Sequence, residues 1–154
     1  MAPIRILLVD DQPLFRGAIA ALLAHQQDME VVGEAENGLV AIELARSLRP
    51  DLVIMDVEMP VMNGVEAVCH LREQAVDSKV IMLSVSDADE HVLEALRFGA
   101  HGYLLKNLRP DQLYDMIRAV MRGETPISPG VAGALLRDLQ QGTGPRPAGS
   151  YAEP

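Results

Sequence analysis

The stretch 51-DLVIMDVEMP-60 runs four apolar residues, Leu52 to Met55, straight into a carboxylate, Asp56. A short run that is apolar throughout, rather than alternating, fits a strand covered on both faces. Glu58, Met59 and Pro60 then stop it, because proline cannot continue a strand ladder. An unpaired buried charge is costly. Asp56 is therefore either an ordinary loop acid just past the strand, or the group that the strand exists to aim.

Working outward, the same kind of run recurs at Ile4 to Val9, Glu30 to Glu34, Val80 to Val85 and Gly102 to Leu105. Between the runs lie segments with helical spacing. Leu14, Phe15, Ala18, Leu22 and Leu23 form the first stripe, and Pro13 suits its opening turn. Asn37 and Gly38 open a second, with Leu39, Ile42, Ala45 and Leu48, which closes before Pro50. Asn63 is placed to cap a third, carrying Val65, Val68 and Leu71. Asp87 and Glu90 have capping-box spacing ahead of Val92, Leu93 and Leu96, and Gly99 ends that helix. Leu113, Met116, Ile117 and Val120 make a fifth stripe, ended by Gly123.

Strand and helix thus alternate through the chain, which predicts an α/β fold with a parallel sheet covered on both faces. The expected architecture is a flavodoxin-like (βα)5 doubly wound sheet of strand order 2-1-3-4-5. In that order the first and third strands are neighbours at the switch point, where ligands bind. Past Gly123, the segment 124–141 reads as a linker holding one short helix over Pro129 to Gln140. The Gly/Pro-rich stretch 142–154 reads as a flexible tail.

The 154 residues give room for one domain with a sizeable core, and 49% hydrophobic content argues for a folded chain. With no Trp and eight Met, that core is aliphatic. A net charge of −9 argues against wrapping nucleic acid or anionic lipid by charge alone. Cys69 is the only cysteine, so no internal disulfide forms, and it reads as an inert thiol on a helix. The start lacks a signal-peptide pattern and no run is long enough to span a bilayer, so the expectation is a cytoplasmic protein without membrane contact.

The strand ends carry the chemistry. The first strand delivers Asp10 and Asp11, the third Asp56, the fourth Ser84 and the fifth Lys106, all on one edge of the sheet. Each has an ordinary role when taken singly. A double acid often makes a turn and helix cap, Ser84 a bonded hydroxyl, Lys106 a solvated lysine and Tyr103 a half-buried strand residue. Their convergence is the specific signal. Three carboxylates in one cleft must share a proton or bind a cation, and oxygen ligands suit Mg²⁺. No His or Cys has zinc-ligand spacing; His25, His70, His91 and His101 read as surface residues. A metal held by Asp11 and Asp56 would leave one Asp56 oxygen free to attack a phosphoryl group, with Lys106 and Ser84 orienting its oxygens.

At these residues the sequence resembles the receiver domain of bacterial response regulators. The resemblance lies in ILLVDDQPLFR, DLVIMDVEMPVMNGVE, VIMLSVSD and GAHGYLLK, and covers about residues 3 to 123. It implies that Asp56 is the phosphoryl acceptor. It also implies Asp11, Asp56 and the Glu58 backbone carbonyl as Mg²⁺ ligands, Asp10 acting through water, and Ser84 and Tyr103 as switch residues. The implied donor is a sensor histidine kinase, and homodimerisation on phosphorylation is a further implication. Asn107 follows Lys106 where many receivers have proline, so no cis peptide is assumed there. Glu58 and Ser86 flank the acceptor at variable positions and are expected to tune phosphoryl lifetime.

The segment NLRPDQLYDMIRAVMRGETPISPGVAGALL resembles the last receiver helix and linker of NarL/LuxR-type transcription regulators. The expectation is a two-component switch rather than an enzyme, acting on DNA only through a helix-turn-helix domain not present here. The alternative is a stand-alone receiver working by protein contacts. An aspartate-nucleophile phosphatase of the haloacid dehalogenase type fits less well, because its D-x-D-x-T/V pattern fails at Glu58 and Met59. A flavin or nucleotide module lacks its phosphate loop, since DDQP puts two negative charges there.

Overall fold

The computed structural model describes residues 2–74, 76–85, 90–126 and 129–140. Its elements run β1 (Ile4–Val9), α1 (Pro13–Ala24), β2 (Met29–Ala35), α2 (Gly38–Leu48), β3 (Leu52–Asp56) and α3 (Gly64–Glu73). They continue β4 (Lys79–Ser84), α4 (Glu90–Arg97), β5 (Gly102–Leu105), α5 (Pro110–Met121) and α6 (Pro129–Gln140). The five strands form one sheet in the order β2-β1-β3-β4-β5, as expected, and every pairing is parallel.

Alternate residues of each strand feed opposite faces. Leu7, Val9, Val53, Met55, Val80 and Met82 face one cluster, completed by Ala41, Ala45, Val65, Val68, Val92 and Ala95 from α2, α3 and α4. Ile6, Leu8, Leu52, Ile54, Ile81 and Leu83 face the other, completed by Ile19 and Leu23 of α1 and Leu113, Ile117 and Val120 of α5. All five residues of β3 are buried, which is why that strand reads as apolar without alternation. Each large aliphatic chain taken from water this way stabilises the fold by about 1.5–3 kcal/mol before entropy is counted.

Local signals set the boundaries. Pro13 occupies the first turn of α1. Asn37 Oδ1 accepts from Val40 N–H at 3.0 Å, capping α2. Asn63 and Glu66 form a reciprocal capping box at the start of α3. The capping pair expected from Asp87 lies outside the described residues, as do Ser86 and the stretch 142–154. No cis peptide bond occurs among the described residues. No helix among them is long and apolar enough to cross a membrane.

One expectation needs correction. His101 is not a surface residue: its Nδ1 accepts from Val80 N–H at 3.1 Å, tying β5 to β4 at their amino ends. Burial first, then the nearby Arg72 and Lys79 charges, pushes its pKa down to about 4. Its position just before the β4–β5 pairing, which spacing does not reveal, draws the ring inward. His91 is half-buried as well, with Nδ1 2.8 Å from Glu58 Oε1, whereas His25 and His70 are exposed.

Candidate functional site

The switch point is where β1 and β3 lie side by side, with Val9 paired to Met55. One residue further along each strand stand Asp10 and Asp56, 2% and 5% exposed. Asp56 belongs to the ladder itself, paired with Leu83, and the Val57 N–H continues the ladder to Leu83 O at 2.9 Å. The acid is thus held by strand pairing, not by loop structure. Ligand oxygens of Asp10, Asp11 and Asp56 lie within 4.8 Å of one another, and Asp11 is the exposed member.

Short bonds fix the two buried acids. Asp10 Oδ1 accepts from Gln12 N–H at 2.9 Å. Asp56 Oδ1 accepts from Glu58 N–H at 3.2 Å. Lys106, delivered by the end of β5, places Nζ 3.0 Å from Asp56 Oδ2 and 3.0 Å from Asp10 Oδ2. The Asp56 contact is a hydrogen bond, whereas Asp10 Oδ2 is met at a poor angle and has no hydrogen-bond partner. Burial pushes the Asp56 pKa up to about 6, against the Lys106 hydrogen bond, and the Asp10 charge adds to the rise. Burial works against the Lys106 charge too, but the carboxylates outweigh it and hold its pKa above the ordinary lysine value.

Such a cleft has an excess of negative charge and one buried, unbonded carboxylate oxygen. An oxygen-binding divalent cation is the natural complement to that donor set. The site is therefore a fit for Mg²⁺, with Asp10, Asp11 and Asp56 as the side chains within reach.

The loop after β3 is shaped by close approach. Gly64 N–H donates to Val57 O at 2.8 Å, and any Cβ on Gly64 would strike the Asp56 carbonyl oxygen and the Met82 methyl. Glycine at 64 lets α3 begin directly beneath the end of β3. Val61, between them, adopts φ 71°, a left-handed conformation that is strained for a β-branched residue.

Ser84 ends β4 and is 2% exposed, with its carbonyl receiving Lys106 N–H at 2.8 Å. Tyr103, 6% exposed, lies inside the cluster beneath α3 and α4. The Glu58 side chain turns to His91 on α4, leaving its backbone beside Asp56. Asp10, Asp11, Asp56 and Lys106 are thus brought together, and Ser84 adjoins them through the ladder.

Two contacts of Lys106 escaped sequence reading. Gln12 Oε1 accepts from Nζ at 2.9 Å, and the Phe15 ring centroid lies 4.8 Å from Nζ. Phe15 carried only a helix-stripe signal, and Gln12 only its place beside the acidic pair.

The doubly wound sheet thus gathers a buried acid, two further carboxyl groups and a lysine at its switch point. The response regulator receiver domain model matches residues 6–118, and the chain belongs to that family. The nitrate/nitrite response regulator protein NarL of Escherichia coli (strain K12) is 41% identical over 138 residues, which cover 90% of this chain and 64% of NarL. The chain therefore spans a little under two thirds of that relative's length. The transcriptional regulatory protein YxjL of Bacillus subtilis (strain 168) is 38% identical over 151 residues, 98% of this chain and 69% of YxjL. The crystal structure of a LuxR-family two-component response regulator from Aurantimonas sp. SI85-9A1 superposes with a TM-score of 0.79 at 30% identity. That match covers 90% of this chain and 99% of the solved one.

Proposed function

We propose that this receiver takes a phosphoryl group on Asp56 from the phosphohistidine of a sensor histidine kinase. A carboxylate oxygen of Asp56 attacks phosphorus, the P–N bond breaks toward the departing imidazole, and an acyl phosphate remains on Asp56. The observation that carries the reading is the buried Asp56, bonded to Lys106 at 3.0 Å and grouped with Asp10 and Asp11.

Asp11, Asp56 and the Glu58 carbonyl would hold Mg²⁺, with Asp10 acting through water. When bound, the ion neutralises charge on the transferring phosphoryl group. Lys106 orients the phosphoryl oxygens and balances their charge. Ser84 contributes a hydroxyl to the same oxygens, and its bond to them biases the packing that surrounds Tyr103 and α4. Tyr103 is buried, and phosphorylation acts by shifting the balance between arrangements of that region.

The domain works as a switch whose only chemistry is gain and loss of its own phosphoryl group. Its likeness to NarL, a response regulator, and to YxjL, a transcriptional regulatory protein, supports control of transcription. Our reading assigns that control to a DNA-binding domain outside these residues, with phosphorylation promoting homodimerisation. Glu58 and Ser86 set the phosphoryl lifetime.

Intact-mass spectrometry after incubation with acetyl phosphate, with and without Mg²⁺, tests this. The expected result is a Mg²⁺-dependent gain of about 80 Da, one phosphoryl group, that is absent from Asp56→Asn. A gain that persists in Asp56→Asn would reject Asp56 as the acceptor.

A further inference from the structure

Four groups surround the Lys106 ammonium. Asp56 and Asp10 are anionic and each stands 3.0 Å away. Gln12 Oε1, at 2.9 Å, and the Phe15 ring, at 4.8 Å to its centroid, are neutral. Gln12 is the N-cap residue in the turn that joins β1 to α1 and Phe15 stands in the first turn of α1, with Pro13 fixing the helix start between them. Phe15 is half-buried against the α1/α5 cluster, so its ring cannot swing freely.

We infer that Gln12 and Phe15 are positioning residues for Lys106, a cradle that keeps the ammonium aimed at the phosphoryl oxygens. This rests on the acceptor role of Asp56. The two carboxylates change character during the reaction: Asp56 becomes an acyl phosphate, and Asp10 would be engaged by the cation. Lysine is a flexible point charge on four methylenes, and without fixed partners it would spread over many rotamers once Asp56 ceases to hold it. An amide acceptor and a π-face keep their attraction for a cation throughout. The ring also excludes water from one side of the ammonium, so that its charge is spent on the phosphoryl group. A purely packing role for Phe15 would be met equally well by leucine and would leave Lys106 unaffected.

The test compares wild type with Phe15→Leu, Phe15→Tyr and Gln12→Ala. In unphosphorylated protein, NMR of the Lys106 methylene next to Nζ, assigned with Lys106→Arg, reports the ring directly. Its upfield ring-current shift is expected in wild type and Phe15→Tyr and lost in Phe15→Leu. The rate of phosphoryl uptake at a fixed concentration of acetyl phosphate with Mg²⁺ is expected to fall about three- to ten-fold in Phe15→Leu and Gln12→Ala. Phe15→Tyr should stay within about two-fold of wild type, since it keeps the π-face. An unchanged methylene shift and unchanged rate in Phe15→Leu would overturn the cradle and leave the acceptor role intact. Equal loss of rate in Phe15→Leu and Phe15→Tyr would also overturn it, because the π-face would then make no difference. No uptake by wild type would remove the acceptor role, and the cradle with it.

Discussion

At the amino end of the sheet, three inward polar side chains satisfy backbone carbonyl oxygens. Arg72 donates to Val76 O, Ser78 O and Gly99 O, Arg5 donates to Leu48 O and Arg49 O, and Ser78 Oγ donates to Pro50 O at 2.6 Å. At the carboxyl end, two buried carboxylates face one ammonium, and one carboxylate oxygen has no hydrogen bond at all. The same sheet therefore has an end where polar groups serve stability and an end where they oppose it. The function proposed above rests on the second, as expected when a site is kept unsatisfied for an incoming ligand.

If that contrast is right, removing polar groups should have opposite signs at the two ends. The largest effect belongs to Arg72→Met, which keeps the aliphatic stem but leaves three carbonyls without their donor. We expect a loss of about 2–3 kcal/mol in urea unfolding. A loss under 0.5 kcal/mol would show that water replaces the guanidinium and break the contrast at its strongest point.

Next comes His101, which is neutral in the fold with a pKa of about 4 against an ordinary 6.5. A depressed base loses stability as the medium acidifies: its contribution is complete above pH 6.5 and drains away as pH falls toward 4. The ring is only half-buried, so solvent screening trims the effect to about 1–2 kcal/mol across that window. Wild type should lose stability more steeply than His101→Gln between pH 6.5 and 4.5. Parallel curves would mean the Val80 bond survives protonation.

Asp56 carries the opposite sign in an overlapping window. Its pKa in the fold, about 6, lies above the ordinary 3.8. The fold therefore favours the protonated form, a contribution complete below pH 3.8 and lost as pH rises through 6. In metal-free buffer at pH 7, Asp56→Asn should be more stable than wild type by about 1 kcal/mol, with the gap narrowing toward pH 5. A destabilised Asp56→Asn would mean that the Lys106 bond outweighs burial. The smallest effect is expected at Val61→Gly, which relieves the left-handed strain at φ 71°. The gain should be about 0.5 kcal/mol, since glycine loses more chain entropy on folding, measured as a raised urea midpoint.

Element edges show where sequence reading loses resolution. The third strand reads as Leu52 to Met55 but includes Asp56, because the ladder partner Leu83 carries it one residue further. The fourth reads as Val80 to Val85 but runs Lys79–Ser84, leaving Val85 exposed past the last pairing with Leu105. Apolarity marks the middle of a strand, while its ends are set by a neighbour that no local window contains. His101 fails for the same reason, since its partner Val80 is brought to it by the β4–β5 pairing.

The sequence by itself determined the order of elements, the parallel sheet, and the gathering of Asp10, Asp11, Asp56, Ser84 and Lys106 at one edge. Apolar periodicity and handed crossovers leave few other solutions. Tertiary structure alone decided which of those groups touch, that Asp10 keeps an unbonded oxygen, and that Gln12 and Phe15 close around Lys106. Topology fixes which strand ends meet; distances, angles and the electrostatics that follow from them depend on side-chain packing across elements far apart in the chain.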